Sequence, residues 1–265
     1  MNSKDNSSQP ARFLCGLLRF MAGMLLLAAS AGCSVELPEP DRQEEWIPVR
    51  IATSVNAFTV TSSDTRAVTR AIPSIVKTGF VEGDELKLTI YKADGVTVVK
   101  TVTIVRQDNN EWMERKDGSL IAFKVPYSYN GYKIIAEYGT KMADGTLYAE
   151  TDYMKTGVAN LQFESNDFSC GFTFNHQYPC IEVNLVTGTD HYTGLNFMGS
   201  DGSIIQPFLP FDGKHFGPYF VDIAGSAITG VSLKKADASA DTFNPMLDPA
   251  QTIGLNYYLF TIKVP

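Results

Sequence analysis

From residue 46 onward, apolar and polar positions alternate with the period of two that extended strands impose, and no stretch carries a helical apolar stripe. WIPVRIATSV, residues 46–55, puts Ile47, Val49 and Ile51 on one face. Residues 84–107 read as a hairpin: Leu86, Leu88 and Ile90 alternate with polar neighbours, Asp94-Gly95 supplies a two-residue turn, and Val96, Val98, Val102 and Ile104 carry the return. Asp94-Gly95 is one of six Asx-Gly pairs, with Asp117-Gly118, Asn130-Gly131, Asp144-Gly145, Asp201-Gly202 and Asp212-Gly213, that punctuate short β-rich runs. Short strands between frequent tight turns predict an all-β sandwich fold. The polar stretch at residues 156–167 is the candidate boundary between an N-terminal β-sandwich domain, residues 46–160, and a C-terminal one, residues 161–265.

Composition narrows the function classes. A chain of 265 residues with 44% hydrophobic residues can fill a sizeable core. The net charge of −7 offers no broad basic surface, so nucleic acid is not an expected partner. The first 32 residues differ from the rest: Lys4, Arg12 and Arg19 precede the apolar run MAGMLLLAAS, which ends in small residues at Ala31-Gly32. That is the layout of a signal peptide, and the run is about half the roughly 20 apolar residues a spanning helix needs. Ser30-Ala31-Gly32-Cys33 resembles the lipobox of bacterial lipoproteins, in which the cysteine thiol takes a diacylglycerol and becomes the N-terminus. Two readings stand: Cys33 carries a lipid anchor to the outer membrane, or it is a chance cysteine after an ordinary secretory signal. Residues 33–45 are a polar tether whose Glu36, Glu39 and Asp41 are similar to the export signals of some surface lipoproteins.

Outside the signal and the tether, only Cys170 and Cys180 remain. In an oxidising compartment they either form a disulfide or stay as two buried thiols in strands. No catalytic constellation is evident: His176, His191 and His215 are scattered, and no nucleophile elbow, phosphate loop or dinucleotide fingerprint occurs. His176 reads as a structural residue at a strand end. The Asp-Gly pairs lack the acid density of a calcium loop, so no enzyme activity, metal or cofactor is expected. Tyr127, Tyr129, Tyr132, Tyr138, Tyr148 and Tyr153 crowd the middle of the chain. They are either a sugar-binding platform, which would suit a surface glycan-binding lipoprotein, or ordinary strand residues with wet hydroxyls.

Two Arg-Ala bonds, Arg66-Ala67 and Arg70-Ala71, follow the first strand, and FVEGDELKLTIYKADG comes next. With the lipobox, the tether, the element Gly79-Phe80-Val81-Glu82-Gly83-Asp84, and Phe174-Asn175-His176 followed by Cys180-Ile181-Glu182-Val183, the chain resembles the fimbrillin family of Bacteroidales surface pili. The resemblance covers most of residues 33–265 and rests on the order of short motifs. It implies two transthyretin-like β-sandwich domains and assembly with other fimbrial subunits by strand exchange. In such subunits an Arg-specific protease cuts after the first strand, which leaves, and a strand of the next subunit fills the groove. Here residues 46–70 would be the removable strand segment, with Arg70-Ala71 the better cut and Arg66-Ala67 the alternative. On the residues alone, both arginines also suit solvated loop charges. The closing run Tyr258-Leu259-Phe260-Thr261-Ile262-Lys263-Val264-Pro265 reads as a last sandwich strand with no donor extension, which implies an anchor or accessory subunit.

Overall fold

The computed structural model describes residues 45–62, 72–186, 192–199, 201–213, 215–235, 242–243 and 246–263. Cys33, Arg66, Ala67, Arg70, Ala71 and His191 lie outside them. Among the described residues the chain is all-β, apart from one 3-10 turn at Tyr127–Tyr129. In chain order the strands are β1 (Trp46–Val55), β2 (Val60–Ser62), β3 (Glu85–Tyr91), β4 (Val98–Arg106), β5 (Trp112–Lys116), β6 (Ser119–Ala122), β7 (Lys124–Pro126), β8 (Lys133–Tyr138), β9 (Met154–Thr156) and β10 (Ala159–Asn160). They continue with β11 (Gln162–Glu164), β12 (Asp167–His176), β13 (Cys180–Val186), β14 (Tyr192–Met198), β15 (Ile204–Gly213), β16 (His215–Phe220), β17 (Ala227–Lys235), β18 (Thr242–Phe243), β19 (Met246–Thr252) and β20 (Tyr257–Lys263).

Two sheets account for all of them. The first runs β6-β5-β4-β3-β8-β9-β12-β1-β7, with β10 beside β8 and β11 beside β12. The second runs β18-β17-β14-β15-β16-β13-β20-β2, with β19 beside β17. Residues 46–265 form one compact unit. Each sheet follows from its pattern: in β3, Leu86, Leu88 and Ile90 are fully buried while Glu85 and Lys87 face water, so one face is dry and the other wet. In β13 and β20 nearly every residue is buried, as a parallel pair covered on both faces requires.

Three apolar clusters fill the interior. One, built on Leu86, Leu88, Ile104, Ile134, Phe168 and Phe172, belongs to the first sheet. A second, built on Ile181, Leu195, Phe197, Val231, Leu233 and Phe260, belongs to the second. A third lies where the sheets meet and joins Phe58, Val76, Met142, Tyr153, Tyr178, Cys180, Phe220, Tyr257 and Leu259.

Two expectations need revision. The turn at Asp94-Gly95 is longer than two residues: β4 begins at Val98, Val96 is 79% exposed, and the loop closes through Lys92 N–H to Thr97 O at 2.9 Å. Asp94 organises it by accepting from Val96 N (2.8 Å), Thr97 N (2.9 Å) and Thr97 Oγ1 (2.7 Å). The chain also does not change sheets at residue 160. The change falls between His176 and Cys180, because the polar-looking stretch carries Ala159, Leu161 and Phe163 at alternate positions and supplies β10 and β11 to the first sheet. Leu161 is fully buried there.

Candidate functional site

Residues 46–62 supply strands to both sheets, β1 to the first and β2 to the second. In β1, Ile47 and Val49 are buried and Ile51, Thr53 and Val55 half-buried, while the intervening residues are exposed, as the sequence alternation requires. Its first residues pair antiparallel with β7, Ile47 opposite Val125. From Val49 to Val55 it pairs parallel with β12, Val49 opposite Phe168 and Val55 opposite Phe174. Pro48 precedes that register, where a missing N–H costs no ladder bond. Val49 N–H donates to Phe123 O at 3.0 Å, and beside this point a cavity of about 570 Å³ opens, lined by Val49, Ile51, Trp112 and Phe123 and crossed by the Arg50–Asp167 ion pair.

The chain then crosses to the second sheet. Asn56 N–H donates to Phe174 O at 2.9 Å, and its side-chain amide donates to Asn175 Oδ1 at 2.6 Å. Three residues on, Thr59 O accepts from Tyr257 N at 3.2 Å, and β2 lies parallel to β20 with Val60 opposite Tyr257. Between these two fastenings Phe58 turns inward and is only 5% exposed. Its ring stacks on the imidazole of His176, centroids 3.8 Å apart at 26°.

His176 ends β12 as a buried side chain, and its Nδ1 lies 2.8 Å from Asp152 Oδ2, which is buried too. Asp152 Oδ2 also accepts from Lys77 N at 3.0 Å, while Lys77 Nζ pairs with Asp84 Oδ1 at 2.8 Å. Asp84 belongs to the Gly79–Asp84 element, and that element has a structural explanation: Asp84 Oδ2 accepts from Val81 N at 2.7 Å to close a turn. Phe80 in turn packs edge-on against Phe174, Tyr138 and Trp112 at centroid distances of 4.9, 5.5 and 5.6 Å. His176 Nε2 and Asp152 Oδ1 have no hydrogen-bond partner among the described residues. The pocket floor is therefore a polar pair kept dry by the Phe58 ring.

The other sequence candidates fall elsewhere. Cys170 and Cys180 are both free and buried, the first in the core of the first sheet and the second in the junction cluster. Burial pushes the Cys170 thiol up to about 12, and burial followed by the charges of Asp152 and Glu182 pushes Cys180 up as well. The tyrosines do not converge on one platform. Tyr127, Tyr129, Tyr132 and Tyr138 pack against the first core, Tyr148 against the second, and Tyr153 is part of the junction. A second polar group surrounds buried Glu182, which accepts from Tyr257 Oη and from Asn184 Nδ2 at 3.3 Å, with His215 Nδ1 2.6 Å from Asn184 Oδ1. Among the described residues, no three or more His, Cys, Asp or Glu side chains are grouped to hold a metal ion. Sequence reasoning missed Phe58 and β2; the alternation of Phe58 and Val60 after β1 is the signal that could have found them, but nothing in the sequence ties them to His176.

No protein-family model and no curated protein matches the chain. Solved structures do align with it. One is a fimbrial protein from Bacteroides ovatus, 13% identical with a TM-score of 0.39, the alignment covering 84% of this chain and 51% of that one. This chain thus spans about half the length of that protein. Another is a candidate cell adhesion protein from Bacteroides fragilis, 12% identical with a TM-score of 0.44, covering 82% and 93% of the two chains. A third, also a candidate cell adhesion protein and also from Bacteroides ovatus, is 11% identical with a TM-score of 0.47, covering 83% and 93%. At these identities and scores the likenesses carry no argument about this chain.

Proposed function

We propose that the chain is a structural subunit of a bacterial surface fimbria, an adhesion-related filament, and that it joins other subunits by strand exchange, as an anchor or accessory member. In this reading Cys33 carries a lipid that holds the protein to the outer membrane, and two transthyretin-like sandwich domains meet between His176 and Cys180, where the chain changes sheets. An Arg-specific protease cuts after Arg70, or alternatively Arg66, and the released segment vacates a groove. No residue is catalytic.

The observation that carries this reading is the double membership of residues 46–62. One continuous segment supplies β1 to the first sheet and β2 to the second, and the sequence that joins it to the rest of the chain contains both Arg-Ala bonds. Withdrawing it would leave unpaired backbone along β12 and β20 and open apolar seats where Ile47, Val49 and Phe58 now sit. An extended segment from another molecule repairs such an edge through main-chain bonds and alternate side-chain pockets. Repeated head to tail, that contact gives an open filament.

The test is digestion of the full chain with an Arg-specific protease, followed by mass measurement and native gels. A new N-terminus at Ala71 or Ala67 is expected, together with exchange of the cut segment for an added extended peptide of alternating apolar residues. An uncut N-terminus, or a cut chain that keeps its segment throughout, refutes the assembly.

A further inference from the structure

The inward positions of β1 are all odd-numbered: Ile47, Val49, Ile51, Thr53 and Val55. A strand recognised by alternation alone fits its groove nearly as well after slipping by two residues, because the same faces stay in and out. Phe58 breaks that degeneracy. It is an even-numbered residue, three past the last inward position, and the phase change occurs where the backbone is pinned by Asn56 N–H on Phe174 O and Tyr257 N–H on Thr59 O. Its seat is also chemically distinct from the aliphatic seats of β1. The floor is a flat imidazole stacked at 3.8 Å, and the surrounding cluster includes Tyr153, Tyr178 and Tyr257.

We propose that this pocket is the register-setting and specificity-determining position of the groove. The occupant it fits is an extended segment of another subunit that carries alternating apolar residues and then an aromatic ring three positions past the last of them. This rests on the strand-exchange reading above and adds to it a requirement on the partner's sequence. The physical reason is twofold. An aliphatic side chain cannot reproduce the stacking on His176. A small one leaves a cavity against the His176 ring, whose buried Nε2 has no hydrogen-bond partner among the described residues. Asp152 cannot easily retreat to compensate. It is held by Lys77 N–H, and its carbonyl lies against Gly139, where a single added Cβ would overlap it.

The experiment uses the full chain nicked by an Arg-specific protease and a fluorescein-labelled peptide of residues 46–62, with uptake read by fluorescence polarisation. All changes are made in the peptide, so folding of the chain is not at stake. The unaltered peptide is expected to replace the resident segment. Phe58→Ala should weaken uptake about a hundredfold and Phe58→Leu roughly tenfold. A peptide of unchanged composition with the two residues exchanged, Phe58→Val with Val60→Phe, should be weakened at least as much as Phe58→Leu. Ala52→Ser, on the exposed face, should bind as the unaltered peptide does. Equal uptake of the unaltered, Leu and exchanged peptides overturns this inference alone and leaves strand exchange standing. Failure of the unaltered peptide to enter, with the resident fragment retained throughout, overturns the strand-exchange reading and this inference with it.

Discussion

Val49→Asp is the sharpest perturbation of the N-terminal strand. Val49 is 8% exposed, sits in the core of the first sheet and begins the parallel register with β12 opposite Phe168. Replacing it removes about 2 kcal/mol of apolar burial. Placing a carboxylate at a side chain buried among apolar neighbours adds several kcal/mol more. A total loss of about 4 kcal/mol or more is a large share of the 5–15 kcal/mol that typically separates a folded domain from its unfolded chain. The control is Ala52→Asp, three residues on in the same strand but facing solvent, where a loss within about 0.5 kcal/mol is expected. Urea unfolding of the intact variants should show a fall in midpoint of more than about 1 M for Val49→Asp and almost none for Ala52→Asp. After nicking with an Arg-specific protease, gel filtration should show the Val49→Asp fragment leaving without any incoming strand, while the Ala52→Asp fragment stays bound. If both variants unfold at the same midpoint and retain their fragments alike, Val49 is not a core residue and the account of β1 fails.

Three further outcomes follow from named groups. Gly139 has φ +73° and its Cα faces the Asp152 carbonyl, so Gly139→Ala should cost about 2–4 kcal/mol in denaturant unfolding, whereas Gly118→Ala, at a similar φ in open space, should cost about 1–2 kcal/mol. Cys170 and Cys180 should resist iodoacetamide at pH 8 in the folded protein, because burial suppresses the thiolate, and both should label after unfolding; rapid native labelling, or a mass showing the two joined after mild oxidation, contradicts the placement. Asp94 is held down from 3.8 to about 2, first by the Val96 N–H and then by the Thr97 hydroxyl and N–H. A depressed carboxylate contributes its stabilisation fully above the unfolded pKa and loses it as pH falls through the folded one, so the loop should loosen between about pH 4 and pH 2; a side-chain carboxyl NMR titration with its midpoint near 3.8 refutes this.

The strands were legible because alternation is a local property. Leu86, Leu88 and Ile90 announce a half-buried strand whatever lies beside them, and the same holds for Ile47, Val49 and Ile51 in β1. The breadth of the Asp94 loop was less legible, since Asp-Gly allows a two-residue turn and only the three bonds gathered by the carboxylate select the longer one. The place where the chain changes sheets was hidden for a related reason. Residues 156–167 look polar because β10 and β11 are short and bury few residues, Leu161 above all.

By itself the sequence determined the all-β class, the apolar face of each long strand and the positions of the Arg-Ala bonds, because these depend on residue type and near neighbours. Tertiary structure alone decided that residues 46–62 belong to two sheets, that Cys170 and Cys180 lie in different clusters, and that Phe58 rests on His176. Those facts depend on which backbones pair across more than a hundred residues of chain, and a period-two pattern carries no record of its partner.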